Sequence, residues 1–249
     1  AGSAGAIPAL LKIYDGYEHD FILELAIRHG EQLLAVVKKD DRGWSWDTLR
    51  RPNQFPLTGF SHGTAGIAWA LLELYQATQQ EKFRIAAEHA FKYEESWFSV
   101  EHENWPDLRS LYDTTLGDGK TLAYMLAWCH GAPGIGLSRL RAYQITGDAA
   151  YREQAETAIR TTANSFSQAP QWDQNNFSLC HGLTGNAELL IYASQLLGVC
   201  NASIIYEPLQ IRFPLFANSE SYFCFASYPL LSCTNVIQMI SVFNSYVNN

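Results

Sequence analysis

The chain has 249 residues, 47% of them hydrophobic, which is enough to bury one large core or two small ones. Its formal net charge of -8, without any dense basic cluster, argues against a surface for nucleic acid or anionic membrane, and no apolar run reaches the roughly 20 residues that span a bilayer. The five cysteines, an odd number, favour reduced thiols in a cytoplasmic setting over a disulfide framework.

Two helices are predicted in the first 37 residues. Small residues precede an apolar helix that runs through Leu10, Leu11 and Ile13. A second helix is predicted over residues 19–37, where apolar side chains recur at helical spacing: Phe21, Leu25, Leu33 and Val36. Residues 38–61 contain charged, aromatic and proline residues, and they are interpreted as a long loop.

Two further helix pairs are predicted on the same plan. Gly63 opens a short apolar helix, and its amphipathic partner is expected over residues 81–97. After a loop at 98–128, a helix over residues 135–146 is predicted to end at Gly147. Asp148 is then the expected N-cap of an amphipathic helix through Tyr151, Ala155, Ala158 and Ile159.

The last predicted helix covers residues 183–197, and residues 198–249 break the plan. From Val199 onward this tail has no glycine and only three charged residues, Glu207, Arg212 and Glu220, so we expect an irregular tail of uncertain structure there. Its cysteines are interpreted as buried or unpaired thiols: Cys200, Cys224 and Cys233. We therefore divide the chain into a helical domain at 1–197 and an atypical tail at 198–249.

Each predicted helix pair begins at a Gly-x-x-Gly turn, so the sequence reads as a repeat array. The first glycines of the turns are separated by 61, 68 and 51 residues: Gly2, Gly63, Gly131 and Gly182. In such arrays the helix after the turn is the apolar inner one and its partner is the outer one. The expected fold is all-α, with helical pairs around a central axis and with loops that converge at one end.

Three of the turns carry side chains that bind metals. Cys129 and His130 precede the third turn, Cys180 and His181 the fourth, and His62 the second. Thiolate and imidazole are the usual ligands of zinc. If the loops converge, the two cysteines and His181 give three ligands and one vacant position, at which a substrate thiol would lose its proton near neutral pH.

Other interpretations of these residues stay open. A buried cysteine is usually a small core residue, and a single histidine is usually just hydrogen-bonded. With His130 as a fourth ligand, the site would be a closed structural Cys₂His₂ site. His62 is either a general acid or base beside the metal or a turn-stabilising histidine. Trp128 is either a core residue or a shield for the metal.

Four motifs of the sequence resemble the cyclase domain of lanthipeptide synthetases, and most closely the C-terminal half of the class II bifunctional enzymes. They occur in the family's order at residues 59–68, 104–109, 127–140 and 180–182. The second of them reads Asn-Trp-Pro-Asp-Leu-Arg, and the third contains Cys-His-Gly-Ala-Pro-Gly. The resemblance covers residues 1–197 and leaves out the tail.

The resemblance implies an incomplete α,α-toroid with a zinc ion at its mouth. The implied activity is addition of peptide cysteine thiols to dehydroalanine or dehydrobutyrine, which closes lanthionine and methyllanthionine rings in a precursor peptide. By motif, Cys129, Cys180 and His181 resemble the zinc ligands and His62 the acid/base residue. His130 stands at a position that is not a ligand in the family, which favours the open site. The implied partners are a dehydrated, cysteine-containing precursor peptide and an upstream dehydratase domain.

The chain also departs from the family's pattern. It has fewer Gly-x-x-Gly turns than a full toroid has inner helices, and Met125 stands where stand-alone cyclases tend to carry an arginine. The repeat expected after Leu197 is replaced by the tail. An incomplete ring can keep its zinc loops and lose the walls that hold a peptide, so a second hypothesis is a catalytically inactive fragment that binds a peptide or protein.

Overall fold

The computed structural model describes residues 2–51, 54–112, 121–168 and 176–198. Within these ranges the chain forms seven α-helices and one small antiparallel sheet. The helices are α1 (Ser3–Tyr17), α2 (Asp20–Ala35), α3 (Thr64–Thr78), α4 (Glu81–Glu95), α5 (Ala132–Thr146), α6 (Ala149–Gln168) and α7 (Leu183–Leu197). The tail beyond Gly198, with its three cysteines, lies outside the described residues.

The helices form two layers. Consecutive helices pair as α1 with α2, α3 with α4 and α5 with α6, and the first helices of the pairs pack side by side in the order α1, α3, α5, α7. The inner layer therefore consists of the helices that follow the Gly-x-x-Gly turns, which confirms the predicted incomplete α,α-toroid. Burial follows from this order: α5, which has neighbours on both sides, buries ten of its residues, whereas α1 buries Ile7 and Leu11.

Two hydrophobic clusters hold the layers together. The first lies among α1 to α4 and is centred on fully buried side chains such as Leu71 and Phe83. The second lies among α5 to α7 and contains Ile135, Leu140 and Leu189. Truncation of one such leucine to alanine costs about 2–5 kcal/mol of unfolding free energy. No helix in the described ranges combines the length and apolar character needed to cross a bilayer.

Most predicted helix limits agree with the structure, and the differences have local causes. The helix predicted over residues 183–197 has those limits. Helix α5 begins at Ala132, three residues earlier than predicted, because Pro133 suits the first turn of a helix. Gly147 ends α5 in the left-handed conformation, and the Asp148 carboxylate accepts from Ala150 N (2.9 Å) as the expected cap of α6.

The predicted loop at 38–61 begins with a β-hairpin that the sequence did not indicate. Strand β1 (Lys38–Asp40) pairs with β2 (Gly43–Ser45), and β2 packs on α4. The Arg42 guanidinium lies 5.1 Å from the Trp97 ring and 4.9 Å from the Phe55 ring, so cation–π contacts fix the turn. Tertiary contacts rather than strand propensity account for the hairpin.

The Gly-x-x-Gly motif has a steric origin. At the second glycine of three turns, a Cβ atom would overlap a backbone carbonyl oxygen of the preceding loop. The pairs are Gly66 under Phe60 O, Gly134 under Trp128 O and Gly185 under Leu179 O. The loop thus crosses the first turn of α3, α5 and α7 at the same place. Because of this crossing, the residues between the carbonyl and the glycine lie at the N-terminal ends of these helices. They include Cys129, Cys180 and His181.

Candidate metal centre

The turns before α5 and α7 bring three metal-binding side chains together. Cys129 Sγ lies 3.4 Å from His181 Nε2, and Cys180 Sγ lies 4.0 Å from the same nitrogen. The donor atoms of Cys129, Cys180 and His181 all lie within 4.8 Å of one another. The structure therefore places the side chains of these three predicted ligands in one cluster, the metal group.

The donor set fits zinc in chemistry and in spacing. With Zn–S bonds of about 2.3 Å and Zn–N bonds of about 2.0–2.1 Å, tetrahedral coordination sets neighbouring donor atoms roughly 3.4–3.8 Å apart. The two separations involving His181 Nε2 are 3.4 and 4.0 Å, so small side-chain movements would suffice. Two sulfurs and one imidazole are a borderline-soft set that suits zinc, and three protein ligands are typical of catalytic rather than structural sites.

Backbone hydrogen bonds connect the three loops of the site. Cys129 N donates to Cys180 O at 3.5 Å, which joins the turns before α5 and α7. Phe60 N and Ser61 N both donate to Cys129 O, at 3.1 and 3.2 Å, which joins the turn before α3 to the same point. The loop that carries His62 is thus attached directly to the Cys129 loop.

The three ligands differ in their access to solvent. Cys129 is only 2% exposed, Cys180 is half-buried and His181 is exposed. Burial, and then the neighbouring Cys180 thiol, raise the pKa of Cys129 to about 12. A thiol in this place keeps its proton unless a cation compensates the charge of the thiolate, and a metal ion supplies that compensation. The site is closed on the Cys129 side and open on the His181 side.

His62 is exposed at the same end of the inner helices. Partial burial lowers the pKa of His62 below its ordinary value of 6.5, and the positive charge of Arg109 lowers it further, while Asp107 opposes the shift. His181 also acts on this pKa, so the two imidazoles share one electrostatic environment. His62 is therefore mainly neutral near pH 7, the form that accepts a proton.

His130 is not among the residues whose donor atoms come together. Its ring is fully buried, and Nε2 lies 3.7 Å from Asp107 Oδ1. Burial lowers the pKa of His130 to about 4, although Asp107 opposes the shift. The neighbouring Cys129 points into the metal group while the His130 ring packs behind it, so the three-ligand group corresponds to the open site of the two alternatives.

Asp107 and Arg109 form an ion pair beside the metal group whose role the sequence did not indicate. Arg109 Nε donates to Asp107 Oδ1 at 2.9 Å, and Nη2 donates to Oδ2 at 2.6 Å. Burial would raise the pKa of Asp107, but the Arg109 hydrogen bonds and His130 hold it below its usual range. Arg109 Nη2 also lies 4.0 Å from Met125 Sδ, so a fixed positive charge lies next to the Met125 side chain.

Trp128 packs beside the metal group. Its ring lies edge-on to Phe60 at 5.0 Å between centroids, and Phe60 contacts Trp69 at 5.6 Å. All three rings are partly exposed, and the Phe60–Trp128 contact joins the loop of His62 to the loop of Cys129. This placement is compatible with the shielding role considered for Trp128, which stays a prediction.

Three comparisons relate the chain to known proteins. A family model described as lanthionine synthetase C-like protein matches residues 1–203. The lacticin 481/lactococcin biosynthesis protein LcnDR2 of Lactococcus lactis subsp. lactis is 25% identical over 138 residues, which make up 54% of this chain and 14% of that protein. Nisin cyclase has a TM-score of 0.56 at 18% identity, over 84% of this chain and 52% of that chain. A GH76 α-mannanase from Bacteroides thetaiotaomicron has the same TM-score at 14% identity, over 82% and 53%.

These similarities differ in what they establish. At identities below 25%, the two solved structures show the fold alone, and a cyclase and a mannanase share it equally, so the fold does not select the chemistry. The chain spans about half the length of those two chains and a smaller part of LcnDR2. The family match, in contrast, covers most of the sequence and includes all three turns that carry the site. The chain therefore belongs to the lanthionine synthetase C-like family.

Proposed function

We propose that this chain binds one zinc ion through Cys129, Cys180 and His181 and adds cysteine thiols of a dehydrated precursor peptide to dehydroalanine or dehydrobutyrine. The products are lanthionine and methyllanthionine thioether rings. The observation that carries the proposal is the approach of two sulfurs and one imidazole, from turns 52 residues apart, to within 4.8 Å of one another. Bound zinc would supply stabilisation of the substrate thiolate near neutral pH.

The chain's own residues would move the proton. His62, mainly neutral near pH 7, accepts the proton that the substrate thiol loses. As the sulfur bonds to the β-carbon of the dehydrated residue, the electron pair of the double bond moves toward the α-carbon and its carbonyl. His62 then returns the proton to the α-carbon, so that one S–H and one C=C become one S–C and one C–H bond.

Arg109 would assist through its charge. Hydrogen bonds from Nε and Nη2 to buried Asp107 hold the guanidinium in one orientation. A fixed cation near the site favours the negative charge that develops on the peptide carbonyl during addition. The open side, next to exposed His181, gives the peptide access.

The setting follows from the chemistry. A dehydratase must act on the peptide first, because serine and threonine do not accept thiols until water has been removed. Substrate thiols and Cys129 and Cys180 must all stay reduced, which we place in the cytoplasm. These partners and this location are part of the proposal.

The test combines metal content with thiol consumption. We expect the purified wild-type chain to hold about one zinc per chain by mass spectrometry. It should also consume the free thiol of a synthetic peptide with one cysteine and one dehydroalanine faster than a protein-free control. The Cys180→Ala variant should lose both properties. A metal-free wild type that cannot be loaded with zinc would contradict the proposal.

A second candidate function is a peptide-binding module without turnover. It is favoured by the shared fold of a cyclase and a mannanase, because this likeness shows that the fold alone does not select the chemistry. This alternative predicts binding of the same synthetic peptide with no loss of free thiol over hours. Thiol loss above the protein-free control would exclude it.

A further inference from the structure

We propose that Glu94 and Asn104 are positioning residues for two different loops of the site: Glu94 holds the loop of His62, and Asn104 holds the loop of Cys129. Neither residue belongs to the metal group or to the turns themselves. The assignment to His62 rests on the proposed function, whereas the assignment to Cys129 concerns metal affinity and stands without turnover.

Glu94 bonds to both ends of the His62 loop. Its Oε1 accepts from Gly59 N at 3.2 Å and from Ala65 N at 2.7 Å. Helix α3 has no capping side chain of its own at Gly63, so Glu94, from the last turn of α4, satisfies one of its free N–H groups. The segment between the two bonds contains His62.

Asn104 makes the equivalent pair of bonds around Cys129. Its Nδ2 donates to Met125 O at 3.0 Å, and its Oδ1 accepts from Ala132 N at 2.8 Å. Helix α5 likewise has no capping side chain at Gly131. The segment between these two bonds contains the buried ligand Cys129, and Asn104 itself is 3% exposed.

Both side chains are buried polar groups whose partners belong mainly to the loops. Burial of a carboxylate or an amide is costly unless its hydrogen bonds are made. Glu94 is fully buried, and its loop bonds are made through one oxygen. Burial raises the pKa of Glu94 to about 8, while the charge of buried Arg139 opposes the shift. Because each side chain contacts loop backbone and no metal donor, its removal should displace a loop without deleting a ligand.

The experiment compares Glu94→Ala, Glu94→Gln and Asn104→Ala with wild type, and Asp148→Ala is the matched control. Asp148 caps α6 at the opposite end of the α5–α6 pair, so its loss removes a helix cap far from the site. The probes are Co²⁺, followed by its absorption, and the synthetic cysteine–dehydroalanine peptide, followed by its free thiol. Thermal unfolding by circular dichroism shows that each variant is folded.

We expect the two positioning residues to affect different measurements. Asn104→Ala should weaken Co²⁺ affinity by about 10–100-fold, the usual effect of losing a group that orients a metal ligand. Glu94→Ala should keep Co²⁺ affinity within about threefold and lower kcat by on the order of 100-fold at unchanged KM, as expected when a catalytic group is misplaced by about 1 Å. Glu94→Gln keeps the acceptor oxygen and should restore most of kcat. Asp148→Ala should change neither quantity.

Contrary results are distinct. If Glu94→Ala and Glu94→Gln are equally impaired, or if all four variants lose Co²⁺ affinity and kcat together in proportion to lost stability, the positioning roles are wrong. If wild type binds Co²⁺ and consumes no thiol, the proposed function fails. The positioning role of Asn104 is then tested by Co²⁺ affinity alone. Glu94 is decided by the His62 ring resonance, identified with His62→Gln, which should shift in Glu94→Ala and not in Glu94→Gln.

Discussion

The turns before α5 and α7 share the motif Cys-His-Gly-x-x-Gly, yet their side chains have different surroundings. In the first turn the cysteine faces the metal group and His130 is buried beside Asp107. In the second turn both Cys180 and His181 belong to the metal group, and His181 is exposed.

The difference arises from what lies around each turn. The turn before α5 is covered by the Asn104–Asp107 segment and by the loop of His62, whereas the turn before α7 belongs to the last inner helix within the described ranges. The Cys-His dipeptide therefore supplies one donor to the metal group in the covered turn before α5 and two donors in the exposed turn before α7. Motif identity alone does not fix the number of ligands.

The largest expected effect distinguishes His181 from His130. His181→Ala should weaken Co²⁺ binding by more than the roughly 10–100-fold typical for loss of an outer partner, because it deletes a donor atom. His130→Ala should stay within that range. Competition with a chromophoric chelator measures both affinities, and equal losses would contradict the difference between the turns.

The second effect concerns the glycines at which a Cβ atom would overlap a backbone carbonyl oxygen of the preceding loop. Gly134→Ala should destabilise the protein by about 1–3 kcal/mol, because its Cβ overlaps Trp128 O in a packed region. Gly185→Ala meets Leu179 O, but Leu179 is exposed, so its loop can shift with less loss of packing and the cost should be smaller.

Gly5 occupies the corresponding place in the first turn and has open space around it, which makes it the control. Gly5→Ala should stabilise α1 by about 0.5–1 kcal/mol. Urea unfolding of the three variants provides the comparison. A destabilised Gly5→Ala variant would show that helix position, rather than carbonyl overlap, determines the cost.

The third effect concerns thiol accessibility. In metal-free protein, iodoacetamide at pH 8 should modify Cys180 faster than Cys129, by roughly tenfold or more, because Cys129 is buried and its pKa is about 12. Peptide mapping by mass spectrometry identifies the modified residue. Added zinc should protect both thiols, and equal rates in the metal-free protein would contradict the buried position of Cys129.

The smallest effect is a pH dependence that belongs to the turn before α5. The pKa of His130 is lowered from 6.5 to about 4, so between these values the unfolded chain binds more protons than the folded chain. Stability is therefore full above pH 6.5 and is lost as the pH falls toward 4. For the metal-free protein we expect His130 to contribute on the order of 1–2 kcal/mol of loss between pH 7 and pH 5. Urea unfolding of His130→Gln should show a smaller loss than wild type.

Sequence reasoning predicted the features that depend on local pattern. Apolar spacing and Gly-x-x-Gly turns located the helices, including the limits of α7, and the Cys-His pairs located the three donors that the structure groups. The family resemblance is confirmed by the match over residues 1–203. The acid/base role of His62, the zinc ion and the boundary at residue 197 remain predictions.

The features that sequence reasoning missed depend on distant partners. Glu94 is a single polar residue in a helix, and Asn104 is the first residue of the motif at 104–109. Only their hydrogen bonds to residues up to 35 positions away show which loops they hold. Arg109 stands in a motif that was noted, but its position beside Met125 depends on the fold. The β1–β2 hairpin depends on the rings of Phe55 and Trp97.

The crossing of each loop over its glycine has a consequence for how this scaffold tolerates change. Successive repeats differ in length, with 61, 68 and 51 residues between first glycines, yet the crossing recurs in three of the turns. Insertions and deletions are thus absorbed upstream of the crossing, where the chain returns from the outer helix. New loop sequences can be grafted there while Cys129, Cys180 and His181 keep their positions relative to one another.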